Sequence, residues 1–176
     1  MPDLLAYLDR IRATHGDVPG FDPAGPGAAA RLLILLETPG PRIGLTGFVA
    51  LSNPAGTARN LRRFLAEASI DERDVLLWNA VPWIIQPSRP VRPPRPAEVR
   101  SGIALLPSLV ALLPRLRAVL LAGQAAAAAG PVLATEHAGL PVFAMPHPSP
   151  TYVCTSPDVS RRILTAMHSA AAALGV

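Results

Sequence analysis

Four short apolar runs, each closed by polar or turn-forming residues and separated from the next by helical periodicity, narrow the folds open to this chain more than any other feature. They are Arg31 to Leu36, Val75 to Trp78, Ala118 to Leu121 and Val142 to Met145. None alternates apolar with polar residues, so each reads as a strand buried on both faces, which is what a parallel sheet produces. Leu4, Leu5, Leu8 and Ile11 recur at helical spacing before Gly16, Pro19 and a Pro/Gly-rich connector to Gly27. Helical patterns cover roughly 54–69, 97–113 and 124–135, and a last helix runs from about Pro157 to Leu174. The alternation of strand and helix implies right-handed crossovers. The expected fold is α/β, a three-layer α/β/α sandwich around a central four-stranded parallel sheet. The chain shows no internal repeat, and at 176 residues it is expected to form a single domain over 1–176. The alanine run 125–129 is a helix former rather than a functional tract.

Composition removes several kinds of chemistry. The single cysteine, Cys154, excludes a disulfide framework and a four-thiolate metal or iron–sulfur site made by one chain. All 16 basic residues are arginine, so lysine Schiff-base chemistry and the phosphate-binding lysine of a P-loop are both excluded. The net charge of +4 has the sign that attracts phosphate polymers, although charge alone decides little. The first residues carry Asp3, Asp9 and Arg10 among their leucines, unlike a secretory leader. The charge-free stretch 118–135 is broken by Gly123, Gln124, Gly130 and Pro131, short of the roughly 20 apolar residues of a membrane span. A cytoplasmic monomer with no membrane role and no cofactor is the expectation.

In an open α/β sheet, ligands bind beyond the carboxyl ends of the strands, so the residues just after each apolar run are where chemistry belongs. Those residues are Glu37-Thr38-Pro39-Gly40, Asn79 within Trp78-Asn79-Ala80-Val81-Pro82-Trp83, Gly123-Gln124, and His147 followed by Pro148, Ser149 and Pro150. A lone strand-end Glu or His is more often structural than catalytic. Four polar ends on one rim shift that balance.

With those segments in view, the chain resembles the uracil-DNA glycosylase superfamily over about residues 31 to 155. Leu36-Glu37-Thr38-Pro39-Gly40 looks like its first motif, closest to the Gly-Glu-Ala-Pro-Gly form of the iron–sulfur branch. His147-Pro148-Ser149-Pro150 matches the second motif of the classical branch. Asn79 lies where the superfamily places the asparagine that reads uracil, and Phe48, in Gly44-Leu45-Thr46-Gly47-Phe48, resembles its stacking phenylalanine. Four short motifs in order at strand ends form a specific signal.

The resemblance implies that the chain flips uracil out of DNA and hydrolyses its N-glycosidic bond, with uracil-containing DNA as its partner. A flipped base needs a stacking surface, which Phe48 supplies unless it is ordinary core. Asn79 offers a donor and an acceptor to the O4 and N3–H edge of uracil; the alternative is a turn cap. His147 is expected to donate to uracil O2 as anionic charge develops, and Glu37 to orient or deprotonate the attacking water and offset charge on the sugar. Thr38 stands where other branches carry aspartate or asparagine, so the water-activating task falls to Glu37, or to Asn53 from the next loop. Without lysine, the expected enzyme is monofunctional and leaves an abasic site in an uncut strand. The iron–sulfur branch is matched at its first motif only, because the cluster cysteines are absent.

The segment from Gln86 to Pro96 carries Arg89, Arg92 and Arg95 between prolines that disfavour helix and sheet. It either grips phosphates at the rim or is a solvated basic linker. Thr151 takes the place of the leucine that the classical branch inserts into the stack. Tyr152 is the candidate wedge, or packs as core. Ser149 and the backbone after Gly123, including Gln124, are candidate phosphate clamps, with Ser149 alternatively a turn residue. Arg161 and Arg162 read as a solvated face. Two other readings stay open: a non-catalytic nucleic-acid-binding member of the fold, and a small-molecule hydrolase using Ser149 or Glu37 with His147, although no Gly-x-Ser-x-Gly elbow is present.

Overall fold

The computed structural model of the chain describes residues 2–85 and 92–176. In chain order the elements are α1 (Pro2–His15), β1 (Gly20–Phe21), β2 (Leu32–Leu36), β3 (Phe48–Val49), α2 (Gly56–Glu67), β4 (Val75–Asn79), α3 (Pro96–Ile103), α4 (Leu106–Ala111), β5 (Ala118–Ala122), α5 (Gln124–Ala127), α6 (Gly130–Glu136), β6 (Val142–Met145), α7 (Pro150–Val153) and α8 (Pro157–Leu174), with short 3-10 turns between some of them. β4, β2, β5 and β6 lie side by side in that order, all parallel. Every residue of β2, β4 and β5 is buried, as their unbroken apolar runs require, whereas the edge strand β6 is only partly covered.

The strand order fixes where the helices go. The chain moves from β2 outward to β4, then jumps back across β2 to β5 and on to β6. Right-handed connections therefore put α2 on one face and the 96–111 and 124–136 helices on the other. α8 joins α2 on the first face and packs along β5 and β6, while α1, α4 and α6 lie together on the second. The reversal falls between β2 and β5, so the crevice of this sheet opens at their carboxyl ends.

Two helices expected to be continuous are broken. The 97–113 pattern divides into α3 and α4 with Pro107 in the first turn of α4, and the 124–135 pattern divides into α5 and α6 with Pro131 in the first turn of α6. Proline lacks the N–H that would continue the helix and its ring clashes with the carbonyl four residues back, which outweighs the helical preference of the surrounding alanines and leucines. Two features had no sequence signal. β1 and β3 form a separate two-stranded parallel pair, Gly20 opposite Phe48 and Phe21 opposite Val49, too short to show a period. α7 is a single turn that starts at Pro150 directly after the His147 segment. α8 has the expected bounds, begun by the Ser156 side chain accepting from the Asp158 N–H and ended by Gly175 in the left-handed region.

Candidate active site

At the carboxyl end of the sheet, a cavity of about 510 Å³ is walled by Glu37, Thr38, Asn79 and His147 together with Asn53 and Pro150. Strand register puts them there. Leu36 lies opposite Asn79, and the ladder runs one step further, with Ala80 N–H donating to Leu36 O at 2.8 Å and Val81 N–H to Glu37 O at 3.0 Å. On the other flank Gly123 N–H donates to Met145 O at 3.0 Å, which brings the end of β6 and the following His147 back toward β5.

Asn79 is 3% exposed and is the one polar side chain in the buried class among the described residues. Neither its Nδ2 nor its Oδ1 has a hydrogen-bond partner among them. A buried polar group left unpaired costs about 1–3 kcal/mol, so an amide with both ends open is held at a cost that packing alone does not explain. The backbone behind it is clamped. A Cβ on Gly102 would lie 1.9 Å from Ala80 O, so α3 reaches the chain next to Asn79 only because residue 102 is glycine.

His147 is half-buried, and its Nδ1 accepts the backbone N–H of Ser149 at 3.1 Å. An accepting Nδ1 leaves the ring proton of the neutral imidazole on Nε2. Burial lowers the His147 pKa below the ordinary histidine value, and the Glu37 carboxylate opposes that lowering. The loop carrying His147 is tied to α2 twice. Asn60 Nδ2 donates to Pro148 O at 2.9 Å, and a Cβ on Gly56 would meet Pro150 Cγ at 2.3 Å.

Glu37 sits at the crevice itself. Its Oε1 accepts the Ala125 N–H in the first turn of α5 at 3.1 Å. Gly123, at φ +91°, comes so close that a Cβ there would stand 2.9 Å from Oε1. The site thus combines an anchored carboxylate, an imidazole with a defined donor atom and an unpartnered amide on one cavity wall.

The family model of the uracil DNA glycosylase superfamily matches residues 23–167, most of the chain and all of these elements except α1, β1 and the last part of α8. The chain belongs to the uracil DNA glycosylase superfamily. No match occurs among the curated proteins compared.

Other residues singled out in the sequence lie at or near the rim. Phe48 is 39% exposed on β3 with its ring against Gly20, and it is Val49 and Ala50, not Phe48, that line the cavity. Asn53 lines the cavity, but its amide is engaged at both ends: Oδ1 accepts from Thr46 Oγ1 and Nδ2 donates to Phe48 O, each at 2.8 Å. Ser149 gives its N–H to His147, while its hydroxyl shares a hydrogen bond with Thr151 Oγ1 at 2.9 Å. That is not the hydroxyl-to-imidazole contact of a serine nucleophile.

A second concavity of about 420 Å³ shares Glu37 and His147 with the first and is completed by Gly123, Gln124, Tyr152 and Arg162. Tyr152 is 56% exposed, its ring 6.3 Å from that of His147. Of the proline-rich arginines, Arg89 lies outside the described residues. Arg92 forms a two-pronged pair with Glu98, 2.8 and 2.6 Å, and Glu98 also accepts the Arg95 N–H at 2.6 Å as a cap on α3. The Arg92 guanidinium holds the Glu98 carboxyl down to about pKa 2. Arg92 is therefore a staple at the start of α3, and Arg95 keeps its side chain exposed.

Sequence reasoning missed Gly56, which lines the cavity, and Asn60 and Gly102, which position the site without lining it. A glycine within a helical pattern was the available sign, since it weakens a helix unless something approaches closely.

Proposed function

We propose that the chain removes uracil from DNA by hydrolysing the N-glycosidic bond, as a monofunctional glycosylase that leaves an abasic site. The observation that carries this reading is the buried, unpartnered Asn79 amide on the wall of a cavity that also holds His147 and Glu37. An amide presents a donor beside an acceptor, the complement of the O4 and N3–H edge of uracil, and pairing both ends would recover the cost of leaving them open. The amino group of cytosine would set a donor against a donor.

In the reaction, His147 Nε2–H donates to uracil O2 as the departing base takes up the bond's electron pair, and the neutral ring favoured by burial has that proton in place. The Glu37 carboxylate beside the sugar offsets the positive character at C1′, orients the water whose oxygen forms the new bond to C1′ and takes up the proton that this water loses, which is then passed to the departed uracil anion. Thr38 lines the cavity as a contact to the base or sugar rather than as an acid. Asn53 acts by holding the 46–48 turn, so its contribution is to position Phe48 at the rim. A turn of the Phe48 side chain toward the cavity would let it stack on the flipped base.

The test is incubation of labelled oligonucleotides carrying uracil, hypoxanthine or a thymine mismatch, followed by alkali, with Glu37→Ala and His147→Ala in parallel. Alkali-labile breaks at uracil that both variants reduce are expected. Undiminished cleavage by both variants would overturn the roles given to Glu37 and His147. Uracil-DNA binding by the native chain with no alkali-labile product would make it a non-catalytic binding member of the fold.

A further inference from the structure

One peptide unit in the backbone after His147 is held at both ends. Its carbonyl, Pro148 O, accepts from Asn60 Nδ2 on α2 at 2.9 Å, and its amide, Ser149 N–H, donates to His147 Nδ1 at 3.1 Å. The two groups belong to one plane, and in a trans peptide they point opposite ways. A rotation that frees the carbonyl from Asn60 therefore swings the N–H away from the imidazole. A hydrogen bond accepted at the carbonyl also polarises the unit and strengthens its N–H as a donor.

The rest of this segment leaves that rotation to Asn60. Proline fixes φ at residue 148, and Pro150 restricts residue 149 to the extended conformation it has, φ −67° and ψ 150°. The freedom that remains is turning of the peptide between them, about ψ of Pro148 and φ of Ser149. The next carbonyl, Ser149 O, is occupied separately by the N–H groups of Tyr152 and Val153, at 3.0 Å each. Packing of the loop on α2 is also separate, because Gly56 lets Pro150 come close. Asn60 is half-buried and does not line the cavity. Its bond to Pro148 joins residues 88 apart and is partly shielded from water.

We propose that Asn60 is a positioning residue, which fixes the Pro148–Ser149 peptide and through it keeps the ring proton of His147 on Nε2. The proposal deepens the uracil-excision reading, in which Nε2–H donates to uracil O2. The other tautomer would set a lone pair against that oxygen. Its effect on rate rests on that reading, and its effect on the ring does not.

The experiment follows the ring nitrogens of the full chain by NMR across a pH series, with His147 told apart from the other histidines by His147→Ala. The native chain should hold the Nε2–H form. Asn60→Ala and Asn60→Leu should both raise the Nδ1–H share severalfold. Both should also move the His147 titration to higher pH, because protonation of Nδ1 no longer displaces a well-placed N–H. Asn60→Gln, which keeps an amide donor, should return toward native behaviour. The titratable and charged groups that line the two hollows beside His147, namely Glu37, Arg42, Arg59, Tyr152 and Arg162, are the same in all three variants. Arg62→Gln opens the Arg62–Glu72 pair on the same helix and should leave the ring as in the native chain. In uracil excision, Asn60→Ala should lower kcat about two- to tenfold with KM little moved, the size of one lost hydrogen bond. A native-like ring in both Asn60→Ala and Asn60→Leu, or an equal shift in Arg62→Gln, would overturn the positioning role. If the ring responds as expected while the native chain excises no uracil, the positioning role stands and the excision reading falls.

Discussion

Glu37, Asn79 and His147 on the cavity floor each sit where the backbone is pressed from behind, whereas Phe48, Tyr152 and the arginines around them stand on exposed turns and helix ends. Behind the floor, three glycines make the contacts: Gly123 against Glu37, Gly102 against Ala80, and Gly56 against Pro150. Glu37 and Asn79 also continue the hydrogen-bond ladder of a buried sheet. The rim has few such ties, and its largest aromatic, Tyr152, is more than half exposed. On the proposed uracil-excision reading, the difference matches two tasks. Bond breaking needs donors held in place before the charge develops, while a grip on a flexible strand tolerates adjustment.

The strongest blow to the floor is His147→Ala. Loss of one preorganised donor to a developing anion lowers kcat by about 100- to 1,000-fold, roughly 2.7–4 kcal/mol, with the melting temperature little moved; single-turnover uracil excision reads it.

Next in size is Gly102→Ala. In an open helix this change would stabilise by up to about 1 kcal/mol. Here the new Cβ meets a backbone carbonyl at 1.9 Å, and overpacking at about 1–3 kcal/mol wins. A fall of several degrees in thermal unfolding is expected, whereas a rise would show that the floor behind Asn79 is not rigid.

Asn79→Leu sharpens the comparison from the other direction. It replaces an unpaired amide with a side chain of similar size, so stability should rise by about 1–2 kcal/mol in urea unfolding while uracil excision is lost. A stability loss would mean that the amide is paired in solution.

A smaller effect concerns the charge balance. Burial lowers the His147 pKa and Glu37 raises it, so Glu37→Gln should move the His147 titration, followed by NMR, to lower pH. The sign for stability follows. Above the unfolded histidine value of about 6.5 both states keep the ring neutral, and as pH falls below it the unfolded chain binds the proton more readily, so folded stability declines toward acid. Activity that needs the neutral ring should hold level down to about pH 6.5 and fall only below it.

The least disruptive change for the fold is Tyr152→Ala at the rim. It should shift stability by less than about 0.5 kcal/mol, yet reduce excision from duplex more than from single-stranded DNA, which has no stack to fill. Equal loss on both substrates would remove Tyr152 from the role of wedge.

Local sequence carried the strands of the main sheet and the extent of α8, because burial on both faces leaves no polar residue inside a strand and a capping serine and a terminal glycine mark a helix without reference to anything distant. It also exposed Glu37, Asn79 and His147, since a polar residue that ends an apolar run stands out by type. Only the folded chain decided which of these lost or kept their freedom. Asn53 is engaged by Thr46 and Phe48, and Arg92 by Glu98, while Asn79 has neither end of its amide paired among the described residues. A hydrogen bond depends on where two side chains arrive, and composition and period say nothing of that. The glycine contacts of α2 and α3 belong to the same class, because each arises where segments distant in the chain meet.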